Sequence, residues 1–387
     1  MAVSMSYRPA YRFSYPKGLR KTLIGITTAG ILSASVMGAV AFDGAYEPGA
    51  KIEGDYTFEW GTYAVASGDE VYQYAHDDAG DAYYNTYDGE AWSGWEGYEE
   101  QPAPVAYDPA PVAYGDKSYV YYTGDDGYLY QQSWDTYNEP VWEDVSGDYT
   151  YTAAPYATVY EDAIHLYGNA SDGYVYHKSY TEEAGWGTWE AVNDAEHPAK
   201  AEAKPYSVSW DDHDNVFWTG EDGKAYWNRY SYADETWTGA KEIPGDYTYD
   251  VAPYAVGGRC PGVQAAIVAD GVPAYNVFDG EGWAGWEPYE VEWTAAYQPN
   301  AYVYEAAVHV VYTAVDGNAY YTQYGADGWY GEWEDLGDNY AYDAQQYSYD
   351  DGLYLTYTGE DGSVYYRTYS FDGGGTTDPE PTEEPEY

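Results

Sequence analysis

Residues 83–98, YYNTYDGEAWSGWEGY, constrain the fold more than any other stretch, because related versions return along nearly the whole chain. A close copy is AYNVFDGEGWAGWEPY at 274–289, and looser ones are VYHKSYTEEAGWGTWEAV at 175–192 and YYTQYGADGWYGEWEDL at 320–336. Each passes from a Tyr-rich alternating run through a Gly-containing turn into a Trp-Glu segment. Successive side chains of a strand point to opposite faces, so the alternation predicts strands that pack on one face. A unit this short cannot bury its apolar face alone; stacked copies can, which predicts an array of supersecondary units.

The Asp-Gly turn fixes how many units there are. Aligning the glycine that closes the first hairpin of each copy gives Gly80, Gly127, Gly173, Gly223, Gly271, Gly317 and Gly362, spaced 45 to 50 residues apart. Sequences such as TGDDG at 123–127 and TGEDG at 219–223 and 358–362 suit a tight turn, since Gly accepts positive φ and Asp bonds its own backbone. Each repeat reads as four strands: a run such as APYATVY at 154–160, the strand before the Asp-Gly turn, the strand after it, and the Trp-Glu strand. No useful length shows a helical period. The expected fold is therefore all-β, a seven-bladed β-propeller of four-stranded blades.

The seventh repeat stops at YYRTYSFDGGG, residues 365–375, without a Trp-Glu strand. At the other end, GAKIEGDYTFEW (49–60) resembles GAKEIPGDYTYDV (239–251), which carries the fourth strand of blade four into blade five. Residues 50–54 are thus expected to complete the last blade and close the ring, covering exposed sheet edges. The propeller is assigned to residues 42–372.

Residues 1–41 are basic through Lys21, then apolar from Leu23 to Val40, ending in Ala39-Val40-Ala41. They read as a cleavable export signal, or alternatively as a retained membrane anchor. Either places the propeller outside the cytoplasm, in a secreted, cell-surface or periplasmic setting, and a cleaved signal leaves no membrane span. Residues 373–387, rich in Pro, Thr and Glu, are expected to be a disordered acidic tail.

Composition narrows the partners. Asp and Glu number 67 against 15 Lys and Arg, a net charge of −52, and that field repels nucleic acid and anionic membrane surfaces. No EF-hand-like spacing of acidic residues is present. Cys260 is the single cysteine, which precludes an intrachain disulfide, and six scattered histidines speak against a Cys/His metal cluster. His177 and His309 read as packing or surface residues. No metal or cofactor is expected.

The Trp pairs are the candidate ligand site: Trp92 and Trp95, Trp186 and Trp189, Trp283 and Trp286, with Trp329 and Trp333 one residue wider. An indole face can stack on the apolar face of a sugar ring while carboxylates or amides take its hydroxyls. The second Trp, followed by Glu, is assigned to packing between blades. The first, beside the glycine turn, is a candidate sugar contact. Enzyme motifs such as G-x-S-x-G, H-E-x-x-H or a phosphate-binding glycine loop are absent, and with so many acidic residues a carboxylate pair alone does not mark a glycosidase.

The segments DGEAWSGWEGY (88–98), DGEGWAGWEPY (279–289) and DGYVYHKSY (172–180) resemble the repeat of bacterial PLL-type lectins, D-G-x-L-x-H-K-x-W-x-G-x-x-W-S-x-W-E-x-L-G-G, over residues 50–372. The resemblance implies a seven-bladed propeller binding fucose or related, often methylated, sugars between blades. It adds His177, Arg229 and Arg367 to the candidate contacts, because the family's His-Lys pair is kept at His177-Lys178 and is matched by Asn228-Arg229 and Tyr366-Arg367. The expected function is a carbohydrate-binding, lectin-like module without catalysis. A structural subunit of an extracellular or envelope complex, docking protein partners through the rim, is the alternative.

Overall fold

The computed structural model describes residues 44–371, apart from 55, 136–137, 161, 211, 250, 259–261, 270, 305–306, 326–327 and 338. Residues 1–41, residues 373–387 and Cys260 fall outside the described residues. Every element within them is a β-strand, arranged as seven antiparallel sheets. The innermost strands neighbour one another around a closed cycle, Tyr63–Ser67 lying between Ala110–Tyr114 of blade two and Gln345–Tyr349 of blade seven. The fold is the expected seven-bladed β-propeller.

The seven aligned glycines all carry φ between +74° and +85°, so the turn chemistry read from sequence is what sets the blade repeat. In five blades the turn aspartate has two jobs. Asp126, Asp172, Asp222, Asp316 and Asp361 each accept the backbone N–H two residues on, at 2.9–3.1 Å. The other carboxylate oxygen accepts a hydroxyl four residues on, from Tyr130, Tyr176, Tyr226, Tyr320 and Tyr365, at 2.7–3.2 Å. Two steps of alternation put that Tyr on the same side of the strand as the turn, where its hydroxyl reaches the carboxylate.

Apolar packing lies between blades. The largest fully buried side chains include Trp218, Tyr119, Tyr121, Tyr167 and Tyr312, and aromatic rings meet mostly tilted or edge-on, the arrangement their quadrupoles favour.

Ring closure matches the expectation and extends it. Ala50–Lys51 pairs with the strand Val364–Phe371 of blade seven, and Ile52 N–H continues the ladder to Val364 C=O at 2.8 Å. A second segment, Gly44–Tyr46, pairs further along the same strand, with Tyr46 opposite Tyr369. Tyr46 is 6% exposed, sits edge-on to Tyr321 and Tyr369, and accepts a hydrogen bond from Gln346 Nε2 at 2.8 Å.

Candidate functional site

Counting five residues on from each turn glycine gives one structural position per blade: Asn85, Gln132, Lys178, Asn228, Asn276, Thr322 and Arg367. It lies on the third strand and faces the preceding blade. Lys178 Nζ donates to Val145 C=O at 2.6 Å, Asn228 Nδ2 to Val192 C=O at 2.6 Å, and Arg367 to Leu336 C=O. In blades one, three and five a Trp pair accompanies this position. A loop of the preceding blade, Gly54, Gly147 or Gly245, each followed by Asp-Tyr in sequence, closes onto the second Trp.

That loop lies so close that a Cβ on it would come within 2.9 Å of Trp95 Cδ1, 3.0 Å of Trp189 Cδ1 and 2.6 Å of Trp286 Cδ1. Trp95 and Trp286 are buried at 7% and 9% exposure, and Trp189 Nε1 donates to Val145 C=O at 3.1 Å. The second Trp of each pair therefore packs the blades together. Gly245→Ala is expected to overpack this contact and lower stability by about 1–3 kcal/mol in a denaturant titration. An unchanged midpoint would mean the loop is free to move away.

The groove between blades two and three is open, a cleft of about 440 Å³ within the range of small-molecule sites. Its walls carry Glu143, Asp144, Asp148, Lys178, Trp186 and Trp189. The Lys178 ammonium stands 4.1 Å from the centre of the Trp186 ring and 4.7 Å from that of Trp189. Burial pulls Lys178 down to about 8, against the opposing pull of Glu143 and Asp144. The cleft thus joins two indole faces, a cation and an acidic wall.

The other two grooves carry neutral donors. Asn85 Oδ1 accepts from Gly94 N–H and Asn276 Oδ1 from Gly285 N–H, both at 3.0 Å, which aims each Nδ2 away from its own turn. Asn85 Nδ2, Asn276 Nδ2, and the indole Nε1 of Trp92, Trp186 and Trp283 are buried without a hydrogen-bond partner. Unsatisfied buried donors cost about 1–3 kcal/mol each, so a ligand hydroxyl reaching them is favoured.

The expected contacts divide accordingly. Trp92, Trp186 and Trp283 stand half-buried in the three grooves, Trp92 against Tyr87 and Tyr366 and Trp283 against Phe217 and Trp227. Trp329 pairs by backbone with Tyr324, and its side chain lies outside the described residues. Arg367 occupies the Lys178 position, yet blade seven has no Trp pair and its guanidinium also bonds Glu47 C=O at 3.2 Å.

Two of the expected contacts lie off this position. His177 precedes Lys178 on one strand and so faces the other way, buried against blade four at 8% exposure. Arg229 is one residue out of step, Asn228 being the counterpart of Lys178; its guanidinium lies over Trp227 and Phe278, 5.8 and 5.2 Å from the ring centres. A single-residue slip exchanges the faces of a strand.

A separate polar group lines one mouth of the central channel. The residues two before each innermost strand are Gly61, Asp108, Ala154, Lys204, Ala252, Gln298 and Asp343, on the same end as the Asp-Gly turns. Lys204 Nζ lies 5.4 Å from the ring centres of Tyr63 and Tyr206. Tyr63 OH donates to Asp343 at 3.3 Å. Burial first, and then the charge of Asp108, raises Asp343 to about 7, with Lys204 opposing. A carboxyl raised on folding stabilises the fold below its unfolded value near 4 and loses that contribution as pH rises through 7. Asp343→Asn is expected to flatten the fall in stability between pH 4 and 7. At pH 8 it should be more stable than the parent. Parallel pH–stability curves would show that Asp343 does not titrate in this window.

No known family model and no curated protein matches the chain in sequence. Among solved structures it is similar to the BP39L lectin from Burkholderia pseudomallei, at a TM-score of 0.69 and 14% identity over 81% of this chain and 96% of the lectin. The ulvan lyase of polysaccharide lyase family PL25 aligns at a TM-score of 0.55 and 10% identity over 84% and 94%. The fucose-specific lectin from Aleuria aurantia aligns at 0.48 and 12% over 70% and 93%. At such identities the likeness is one of fold alone: lectins and a lyase share this chain's propeller architecture.

Proposed function

We propose that this chain is an exported, acidic, carbohydrate-binding propeller that holds neutral sugars in the Trp-lined grooves of blades one, three and five and has no catalytic activity. The cleft beside Lys178 carries the reading. There the half-buried Trp186 and Trp189 offer apolar faces, while Glu143, Asp148 and the Lys178 ammonium supply acceptors and a donor for hydroxyls. A pyranose with one apolar face, of the fucose type or methylated, suits such a wall better than a sugar acid, which the −52 charge repels. The basic and then apolar start of the chain supports export.

Three modest sites on one rigid ring suit dense glycan surfaces, where simultaneous engagement multiplies weak affinity. A glycan array followed by calorimetry on the full chain tests the reading. Binding of fucose-type or methylated sugars at millimolar or lower concentration is expected, and no binding of any neutral sugar in that range overturns it.

One observation favours a second reading, polysaccharide cleavage at the channel mouth: the Asp343 carboxyl, which accepts Tyr63 OH at 3.3 Å there, is raised by burial and by the charge of Asp108 in the direction a general acid needs. New reducing ends or unsaturated products from a polysaccharide, lost in Asp343→Asn, would establish it in place of pure binding.

A further inference from the structure

The side of blade three that faces away from the Lys178 cleft holds a second cluster, unrelated to sugar binding. His165 and His177 lie on neighbouring strands with their rings stacked, 5.2 Å apart and 11° from parallel. His165 Nδ1 is 3.0 Å from His177 Nε2 and 3.1 Å from Asp214 Oδ2 of blade four. All three residues are at most 8% exposed, and their ligand atoms lie within 4.8 Å of one another. Asp214 Oδ2 already accepts Tyr232 OH at 2.6 Å and Tyr167 OH at 3.0 Å, and Oδ1 is bonded by Ser209 Oγ.

Protons alone fit this arrangement poorly. If His165 Nδ1 carries hydrogen, that one hydrogen serves both His177 and a carboxylate oxygen already holding two hydroxyls. If His177 Nε2 carries it instead, His165 turns a lone pair toward the carboxylate at 3.1 Å. A cation removes the conflict by taking all three lone pairs.

We infer that His165, His177 and Asp214 bind a divalent transition-metal ion, zinc being the occupant the donors suit, and that it clamps blade three to blade four. Two imidazoles and one carboxylate are borderline donors that favour zinc over calcium or magnesium, which prefer all-oxygen shells. Zinc bonds of about 2.0–2.2 Å put tetrahedral ligand atoms roughly 3.3 Å apart, close to the two short separations found. The hydroxyls of Tyr167 and Tyr232 on Asp214 are the outer partners that orient a ligating carboxylate. Trp237, edge-on to His177 with ring centres 5.8 Å apart, helps enclose the group.

The test uses the full chain, freed of metal by chelation and dialysed. Calorimetry with zinc chloride is expected to show one tight site above the weak binding of surface carboxylates. At 100-fold excess over Kd, zinc should raise the melting temperature on the order of 5 °C. Cobalt(II) should give the intense visible bands of a low-coordinate, nitrogen-containing site. His177→Ala and His165→Gln should lose the tight site and the bands, while His197→Ala, at a half-buried histidine outside the cluster that pairs with Asp194, keeps both. Should either variant fail to fold, the wild-type cobalt spectrum decides alone. A weak octahedral spectrum, or zinc binding unchanged in His177→Ala, overturns the inference in favour of ions on the acidic surface.

Discussion

Removal of residues 44–54 is expected to abolish cooperative folding of the whole propeller. Those residues supply two pieces of blade seven, Gly44–Tyr46 and Ala50–Lys51, both paired with Val364–Phe371. Their loss exposes the edge of that strand and empties the space filled by Ile52, 2% exposed, and Tyr46, 6% exposed. The Gly54 loop that covers Trp95 goes with them, so the damage reaches blade one. A ring opened at one joint leaves unpaired edges, which associate. The deletion should show a broad melt, loss of near-ultraviolet circular dichroism and concentration-dependent association in sedimentation. Tyr46→Ala alone should cost about 3–5 kcal/mol, the range for truncating a buried aromatic. A deletion variant melting within a few degrees of its parent would show that the ring closes without its first strands.

Trp186→Ala is expected to remove sugar binding from the blade-three groove, lowering affinity there at least tenfold, a difference of about 1.4 kcal/mol. The indole forms one wall of the cleft and holds Lys178 by cation–π attraction, so truncation loses the stacking face and frees the ammonium together. With three grooves, calorimetry on the variant should report a stoichiometry falling from three toward two. The combined change of Trp92, Trp186 and Trp283 to Ala should leave none. Circular dichroism separates this from unfolding, since each first Trp is only half-buried. Unaltered affinity and stoichiometry in the triple variant would place the sugar elsewhere.

The parts legible in the sequence are those fixed by local chemistry. The Asp-Gly turns gave seven positions because positive φ and Asx bonding demand particular residues at a particular spacing. Residues 50–54 were readable as the missing strand because they copy the segment after blade four. Gly44–Tyr46 does not copy Thr236–Trp237 in sequence, and only its pairing with Tyr369, which matches that of Trp237 with Tyr230, reveals it.

Which candidate contacts share a face depends on register, and in a strand one residue is a whole face. Chemical likeness of Arg to Lys pointed to Arg229, whereas the count from Gly223 lands on Asn228. The same count, with alternation, would have turned His177 away from Lys178. The three Gly-Asp-Tyr loops were visible as a repeat, but their contact with the second Trp depends on neighbouring blades. The His165, His177 and Asp214 cluster could not be seen, because two strands and an adjoining blade bring together residues that carry no local motif.

A crystal structure of the full chain with the sugar that binds best tests the central claim most directly. Sugar density is predicted against Trp186 beside Lys178, and in the matching grooves at Trp92 and Trp283, with none at the channel mouth. Density between Asp108, Lys204 and Asp343, with the three grooves empty, would contradict it.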